Sequence, residues 1–372
     1  MEYSDTLRLT AGGRYTDETK DASRVQRHYD GTGNIVPVLT SDWSLANLNT
    51  YQTLFGLFKI EDYEQFTGEL DDSSFTPLIN AQWDVNEDIM AYATWTKGFK
   101  SGGFDTRSNG HPDPAVQNAG SAIAALAGQD TSITGSWEFD REEAESFEVG
   151  AKMNFGGWAE VNVAYYDTSY TDLQVSQFDG TLGFNVTNAG EASVSGFEVD
   201  GRFAVTDNLT ITAAYAFLDF EFDKFPNGQC AFGRAPDSPA FPGLCDQKGK
   251  RKEYTPENQL NLGANWEAEV ADNLLLRVSG NVNYLDEFLY SAVLDPATKQ
   301  DASTIVDLRV SIGSTEGTWE AALIGRNITD ETVVNFGGNT PLGGTLTSGT
   351  GNSYYAFVNR PSNVAVQFSY NF

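Results

Sequence analysis

The sequence predicts an all-β fold, a segment of an antiparallel transmembrane β-barrel of about twelve strands with short periplasmic turns and long extracellular loops. Three observations support this prediction. Apolar and polar residues alternate along much of the chain, short connections alternate with long ones, and tryptophans lie beside the short connections. This combination suits strands that have one face in lipid and the other on a water-filled lumen.

The alternation has a period of two residues, as strands require. In the stretch 5–16, Leu7 and Leu9 alternate with Arg8 and Thr10. The same pattern recurs around residues 145–155, 161–166, 209–217, 260–266, 274–284, 306–312 and 364–372. Charged and amide side chains on the second face would make a poor core for a soluble sandwich, but they suit a lumen wall.

The connections between the predicted strands fall into two classes. Short turns are expected near Asp84–Asp88, Gly156–Gly157, Thr206–Asn208, Glu267–Asp272 and Ser314–Gly317. Long loops are expected near 21–73, 101–140, 223–253, 289–301 and 331–355, with a shorter one near 178–183. Sorting of this kind is the outer-membrane pattern, and an even number of strands leaves the C-terminus on the short-turn side.

Four of the seven tryptophans lie within a few residues of a predicted short turn: Trp83, Trp158, Trp266 and Trp319. Amphipathic rings collect at membrane interfaces, so these residues are expected to form the inner aromatic girdle. The alternative is that tryptophan simply flanks turns, as it does in many β proteins.

The composition narrows the class of protein. The chain has 372 residues, with 52 acidic against 23 basic side chains and a formal net charge of -29. This excess of acid argues against nucleic acid as a partner and against docking on an anionic cytoplasmic leaflet. No apolar run approaches the roughly 18 residues of a spanning helix. Met1 is not followed by a secretory signal, so we expect either a removed signal or a chain that begins within a longer protein.

Five segments, in this order, resemble TonB-dependent outer-membrane receptors, especially the iron-complex branch. They are MAYATWTKGFKSGGF at 90–104, EAESFEVGAK at 143–152, NAGEASVSGFEV at 188–199, GRNITDE at 325–331, and the terminal segment 359–372, which begins NRP and ends FSYNF. Each motif alone is weak, but five in family order are highly specific. The resemblance runs from about Leu7 to Phe372.

The resemblance implies that residues 1–372 are the C-terminal portion of a receptor barrel of about 22 strands. No segment resembles the family's signal peptide, TonB box or plug domain. We therefore expect a truncated product, a fragment or half of a split receptor, with a complete small barrel as the alternative. Residues 1–372 alone are not expected to carry out energised uptake.

By resemblance, the function is TonB-dependent uptake of a scarce ligand across the bacterial outer membrane. A ferric siderophore is the leading ligand class, while vitamin B12, haem and oligosaccharides remain open. The implied partners are the TonB complex, acting through a plug, the barrel-assembly machinery, outer-membrane lipid and lipopolysaccharide. A passive porin-like channel is the first alternative, and a surface or soluble β-domain for adhesion is the second.

No motif for catalysis is present: the sequence has no Walker loop, no His-Glu-x-x-His, no Gly-x-Ser-x-Gly and no Cys-x-x-Cys. We expect neither an enzyme nor a bound cofactor. The two histidines, His28 and His111, lie in predicted long loops. Histidine is a common axial ligand of haem, but two isolated histidines in polar loops are more often solvated.

The candidate ligand-binding residues are basic or aromatic residues of the predicted mouth: Lys97, Lys100, Arg107, His111 and Trp137. Such groups would favour an anionic ferric siderophore. For Lys97, Lys100 and Arg107, and equally for Arg141, Arg326 and Arg360, the safer interpretation is pairing with neighbouring acids or with lipopolysaccharide phosphate.

Two further expectations concern the only cysteines and the last residues. Cys230 and Cys245 share a predicted extracellular loop, where an oxidising environment favours a disulfide over two free thiols. Phe368, Tyr370 and Phe372 fall on one face of the last strand. They are expected to face lipid, and the resemblance implies that the barrel-assembly machinery reads the final aromatic.

Overall fold

The computed structural model describes residues 6–27, 32–34, 63–106, 137–178, 184–241, 243–340, 343 and 350–372. Twelve strands in this part of the chain form one sheet, and they follow one another in chain order. Neighbouring strands pair antiparallel throughout, from the first pair to the last. The predicted antiparallel segment of about twelve strands is therefore confirmed. No helix in these residues is long and apolar enough to cross a membrane.

In spatial order, the sheet consists of β1 (Leu7–Gln26), β2 (Tyr63–Asp84), β3 (Ile89–Lys100), β6 (Glu142–Phe155), β7 (Ala159–Thr171), β10 (Glu191–Thr206), β11 (Leu209–Lys224), β12 (Asn258–Ala271), β13 (Leu274–Leu285), β16 (Ser303–Ser314), β17 (Trp319–Arg326) and β20 (Asn363–Tyr370). The long connections carry small two-stranded sheets: β4 (Gly103–Phe104) with β5 (Glu138–Phe139), β8 (Gln174–Phe178) with β9 (Phe184–Asn188), β14 (Phe288–Leu289) with β15 (Lys299–Gln300), and β18 (Val334–Asn339) with β19 (Tyr354–Val358). A 3-10 helix, Pro296–Thr298, lies between β14 and β15.

The large sheet has one apolar and one polar face, because successive residues of a strand point to opposite sides and directly paired residues share a side. On β6, Phe147 and Val149 lie on the apolar face and are 46% and 43% exposed. Glu148 between them lies on the polar face, where it accepts a 2.6 Å hydrogen bond from Tyr92 Oη. Exposed apolar side chains opposite hydrogen-bonded polar ones are the arrangement of a lipid-facing wall around a wet lumen.

Aromatic residues mark both ends of the apolar face. At the short-turn end, Trp83 and Trp158 are 52% and 59% exposed. Toward the other end of the first pair, Tyr15 and Phe75 lie directly opposite each other. The positions agree with aromatic girdles at the two edges of a lipid-facing band.

The first two strands are longer than the sequence predicted. The loop expected near 21–73 was wrong at both ends, since β1 continues to Gln26 and β2 begins at Tyr63. From Phe75 toward the loop most residues of this pair are polar, with Leu70 as an exception, so the apolar alternation disappears while the backbone ladder continues. Side chains support the extension: Thr19 Oγ1 donates a 2.7 Å hydrogen bond to Asp71.

The turn expected at Glu267–Asp272 is also shorter than predicted. Strand β12 continues to Ala271, and the chain reverses at Asp272 and Asn273, whose φ is +57°. Glu267 belongs to the strand because it lies on the polar face, where it pairs with Arg277 across a 3.2 Å N–O distance. A charged residue near a strand end therefore predicts a turn poorly when one face of the sheet tolerates charge.

Tyrosines on the polar face lie over the glycines that are paired with them. Tyr92 is paired with Gly150, and Tyr166 with Gly196. A Cβ on Gly196 would overlap the Tyr166 ring and would lie 2.6 Å from the backbone oxygen of Phe217. Glycine at this position therefore provides the space in which the ring lies against the wall.

Gly196→Val should destabilise the sheet, because the clash involves backbone as well as the tyrosine ring. Overpacking of this kind costs about 1–3 kcal/mol. The change is measured as a lower free energy of unfolding in urea, followed by tryptophan fluorescence of the protein in lipid vesicles.

Gly98→Val is the matched control. Gly98 also lies on the polar face of a strand, but a Cβ there has no atom within 4 Å. Equal stability of the two variants would contradict the proposed role of the Tyr166 contact.

Candidate functional site

The long connections leave one end of the sheet, because the strands alternate in direction and short turns close the opposite end. We call this end, with its loops, the mouth. Loops held by a rigid scaffold are the usual place for ligand-binding residues. The described loop residues pack on one another at several points, and these contacts define the candidate site.

The loop between β3 and β6 is fastened to β1 and β2 by charged groups. Arg141 Nη2 lies 2.8 Å from Asp72 Oδ1, and Asp72 is only 5% exposed. On the neighbouring strand, Lys20 Nζ donates to the backbone oxygen of Gly102 at 2.6 Å and also bonds Ser101 Oγ. A buried carboxylate is stable here because a guanidinium neutralises it.

Aromatic packing covers the same loop stems. The rings of Phe104 and Trp137 pack against each other in a tilted arrangement, with centroids 5.3 Å apart. Their rings lie over Gly68 of β2, where an added Cβ would come within 2.5 Å of Phe104. Trp137 is 7% exposed, so in this conformation it packs the loop against the wall.

The stems also bind the neighbouring small sheet of β8 and β9. Asp105 Oδ2 accepts a 2.7 Å hydrogen bond from the backbone nitrogen of Val186. Gln174 Nε2 donates to the backbone oxygens of Ser101 and Asp140, at 3.1 and 2.9 Å. Two successive mouth loops are therefore joined by direct hydrogen bonds.

A buried apolar cluster, the apolar hub, joins three loops at the mouth end of β11. Phe222 packs edge-on against Phe220, with centroids 5.0 Å apart, and lies 4.9 Å from Phe225. The other buried members are Leu173, Val175, Ala189, Ala192 and Leu294. Burial of each phenylalanine contributes about 1.5–3 kcal/mol, so the hub holds these loops together without ligand.

The loop between β11 and β12 has its own internal frame. Cys230 and Cys245 are joined by a disulfide that spans 15 residues, and Cys245 is fully buried. Arg234 donates to Gln247 Oε1 at 2.9 Å, to the backbone oxygen of Asp246 at 2.7 Å and to Asp237 at 2.7 Å. The Arg234 guanidinium beside Asp237 lowers the pKa of that carboxyl.

A second joint, the polar hub, is centred on Asp295, which is 3% exposed. Its carboxylate accepts hydrogen bonds from Asn339 Nδ2 at 2.9 Å, Tyr354 Oη at 3.0 Å and the backbone nitrogen of Ala297 at 3.0 Å. Burial, together with the hydrogen bond to Asp295, raises the pKa of Tyr354. The hub connects the loop after β13 with the small sheet of β18 and β19.

The two predicted lysines of β3 lie on opposite faces. Lys97 pairs in register with Glu145 on the apolar face, in line with Phe147. Its ammonium lies 2.9 Å from Glu145 and 5.9 Å from the centre of the Trp95 ring. Lys100 is three residues on and therefore lies on the polar face. Of the two, Lys100 has the orientation that a lumen ligand requires.

The remaining candidates are distributed as follows. Arg107, His111 and His28 lie outside the described residues. Arg326 ends β17, and Arg360 lies just before β20, where its backbone oxygen accepts a hydrogen bond from Asn327. Among the described residues, no group of histidine, cysteine, aspartate and glutamate side chains could hold a metal ion.

The aromatic residues of the C-terminus share the apolar face of β20. Phe368 and Tyr370 are 68% and 56% exposed, and Tyr370 lies 5.3 Å from Phe372. This is the orientation that lipid contact requires. Recognition by the assembly machinery stays a prediction.

Sequence reasoning missed both hubs. Asp295 carries a weak local signal, because an aspartate before a proline suits the start of a helical turn. The phenylalanines of the apolar hub continue the alternation of β11, and nothing in their own segment indicates that another loop covers them.

Comparison with known proteins gives a consistent result. A family model described as TonB-dependent receptor-like, beta-barrel, matches residues 1–339. A curated relative, the probable TonB-dependent siderophore receptor PiuA of Acinetobacter baumannii, is 31% identical over 146 residues. That match covers 38% of this chain and 19% of the relative.

Two solved structures have the same fold. The ferric yersiniabactin uptake receptor FyuA from Yersinia pestis aligns with a TM-score of 0.66 at 14% identity, over 100% of this chain and 44% of that one. The siderophore receptor PiuA from Acinetobacter baumannii aligns with a TM-score of 0.62 at 17% identity, over 99% and 41%. The chain thus spans less than half the length of these receptors.

Asp295→Ala should loosen the mouth, because it leaves Asn339 and Tyr354 without their buried acceptor. Hydrogen bonds to a charged group contribute about 1.5–3 kcal/mol each. Backbone hydrogen exchange should become faster in β15, β18 and β19, measured by mass spectrometry of the protein in detergent.

Asp301→Ala is the control, since the Asp301 side chain is 89% exposed and lies 3.6 Å from Lys299. Faster exchange in both variants alike, or in neither, would rule out Asp295 as the joint between these loops.

Proposed function

The chain belongs to the TonB-dependent receptor β-barrel family, and we propose on that basis that it forms part of the wall and mouth of an outer-membrane receptor that takes up a ferric siderophore. Receptors of this family lie in the outer membrane of Gram-negative bacteria, and the family consists of receptors and transporters rather than enzymes. The family match over residues 1–339 is the observation that carries the proposal.

The geometry supports this function in two ways. The exposed apolar face and hydrogen-bonded polar face suit a barrel wall between lipid and water. The loops at the mouth are fastened to one another, and so they can present binding groups in a fixed arrangement before ligand arrives. Preorganisation of this kind lowers the entropic cost of binding.

PiuA is described as a siderophore receptor and FyuA as a ferric yersiniabactin uptake receptor, and these descriptions favour iron as the cargo. In the family's architecture, a plug domain inside the barrel receives energy from TonB, and this coupling is part of the proposal. A passive porin-like channel or an adhesion domain is not favoured by the family match.

Uptake should depend on energy. Cells that lack their own siderophore receptors, and that produce the gene product containing this chain, should accumulate radioactive iron from a ferric siderophore. A protonophore or loss of TonB should abolish the accumulation. Accumulation that persists under both treatments would identify a passive channel instead.

Deletion of Phe372 should lower the amount of receptor in the outer membrane. Loss of one phenylalanine removes at most about 2–3 kcal/mol of burial, so a much larger effect would indicate a role in assembly. Membrane fractions are compared by immunoblot with those of Phe372→Tyr, which keeps a terminal aromatic. Equal levels of the deletion variant and the unchanged receptor would leave Phe372 with a packing role only.

A further inference from the structure

The loop between β11 and β12 contains a concentration of positive charge in a strongly acidic chain. Lys248, Lys250, Arg251 and Lys252 fall within five residues, whereas the whole chain has a net charge of -29. Arg234, fixed inside the disulfide frame, lies beside the same segment. The question is which of these cations are neutralised by the protein itself.

Three of these cations have carboxylate partners. Arg251 lies 3.1 Å from Asp219 and 3.5 Å from Glu257. Lys252 lies 3.3 Å from Glu253, and Arg234 lies 2.7 Å from Asp237. In the part of the chain that the structure describes, no carboxylate forms an ion pair with the ammonium of Lys248 or Lys250.

The backbone around Lys250 is held in place. Asp246 Oδ1 accepts a 2.9 Å hydrogen bond from the backbone nitrogen of Lys248, and Gly249 has a φ of +76°, which closes a tight turn. The turn is joined to β11 in both directions: Gly249 N donates to Phe222 O at 2.8 Å, and Phe222 N donates to Lys250 O at 3.0 Å. Lys250 is therefore positioned by the end of a strand and by the apolar hub.

The surroundings of Lys250 disfavour the charged form of its side chain. Its burial, and next the nearby charge of Arg234, lower the pKa of its ammonium, while Asp237 acts in the opposite direction. Strand β11 also brings a carboxylate to this turn: an oxygen of Glu221 would lie 3.9 Å from a Cβ on Gly249. It forms no ion pair with Lys250 among the described residues. An added anion would offset both unfavourable effects.

The loop places Lys250 at the mouth end of β11. Arg251 turns to Asp219, which is an odd-numbered residue of β11 and shares the side of Phe217 on the apolar face. The backbone oxygen of Lys250 accepts a hydrogen bond from the backbone nitrogen of Phe222, a member of the apolar hub.

From these contacts we propose that Lys250, with Arg234 beside it and Lys248 at the rim, forms an oxyanion-binding site at the mouth. It would accept a carboxylate, catecholate or phosphate group, since a protonated amine beside a guanidinium binds oxyanions through charge-assisted hydrogen bonds. The inference rests on the proposed function for one of its two sources, an anionic ferric chelate. Lipopolysaccharide phosphate is the other source of the same chemistry.

Lysine labelling tests the site directly. The purified receptor in detergent is treated with an amine-acetylating reagent, and labelling of each lysine is followed by mass spectrometry. Ferric citrate should slow labelling of Lys250 at least about threefold relative to chloride at the same ionic strength, while the ion-paired Lys299 should be unaffected. An uncharged ferric trihydroxamate should not protect Lys250. Equal labelling in ferric citrate, lipid A and chloride would overturn the site.

Two arms separate the sources of the anion. Micelles containing lipid A are compared with the same micelles without it. Protection by ferric citrate in both supports a chelate site, whereas protection by lipid A alone supports an oxyanion site that serves lipid phosphate. If energised iron uptake fails but an anion still protects Lys250, the proposed function falls and the site stands. If energised iron uptake occurs but no anion protects Lys250, the proposed function stands and the oxyanion site falls.

Variants give an independent measurement. Lys250→Gln should weaken binding of the protecting anion about tenfold, because one charge-assisted hydrogen bond is lost. Lys250→Arg should restore most of the affinity, and Lys299→Gln is the matched control in a neighbouring loop. An unchanged affinity in Lys250→Gln, with the disulfide intact, would overturn the assignment.

Discussion

The rest of this structure depends on one constraint: backbone amides that face lipid must find partners within the protein. An antiparallel ladder satisfies them and forces side chains to alternate between two environments. The apolar face is a consequence of lipid, and the polar face is a consequence of the lumen. Gly196 is paired with Tyr166, and a Cβ at Gly196 would clash with the tyrosine ring and with backbone. The ladder therefore also restricts which residues fit on the polar face.

The constraint weakens above the membrane, where water can satisfy the backbone. Strands β1 and β2 continue there with polar residues on both faces, and the loops take up other means of stabilisation. The apolar hub uses buried phenylalanines, the polar hub uses one buried carboxylate, and the loop of Cys230 uses a covalent bond. These joints hold several loops as connected units and so restrict the conformational freedom of the loops.

The basic side chains can also be divided into two groups, those with an acidic partner and those without one. About half of the described basic side chains form ion pairs with acids of the strands or loops, as Arg8 does with Asp84 and Arg309 does with Glu320. Lys250 forms no ion pair among the described residues, and the turn that holds it is fixed by its hydrogen bonds to β11. This combination of an unpaired ammonium and a fixed backbone is the basis of the proposed oxyanion site.

The sequence by itself determined the strand class, the number of main strands, the end at which the loops lie and the family. The first three features depend on local alternation and on the spacing of turns, and the family depends on five short motifs; all of these signals lie in consecutive residues. Only the tertiary structure decided which face a weakly patterned strand presents to lipid. On β3, Ala91 and Ala93 alternate with Tyr92 and Thr94, and neither set is clearly the apolar one. Pairing with Phe147 and Val149 settles the question and places Lys97 outside and Lys100 inside. The two hubs could not be predicted from the sequence either. Residues such as Asp295 and Tyr354 meet through loop packing, and the alternation of residues along the chain does not indicate which loops contact one another.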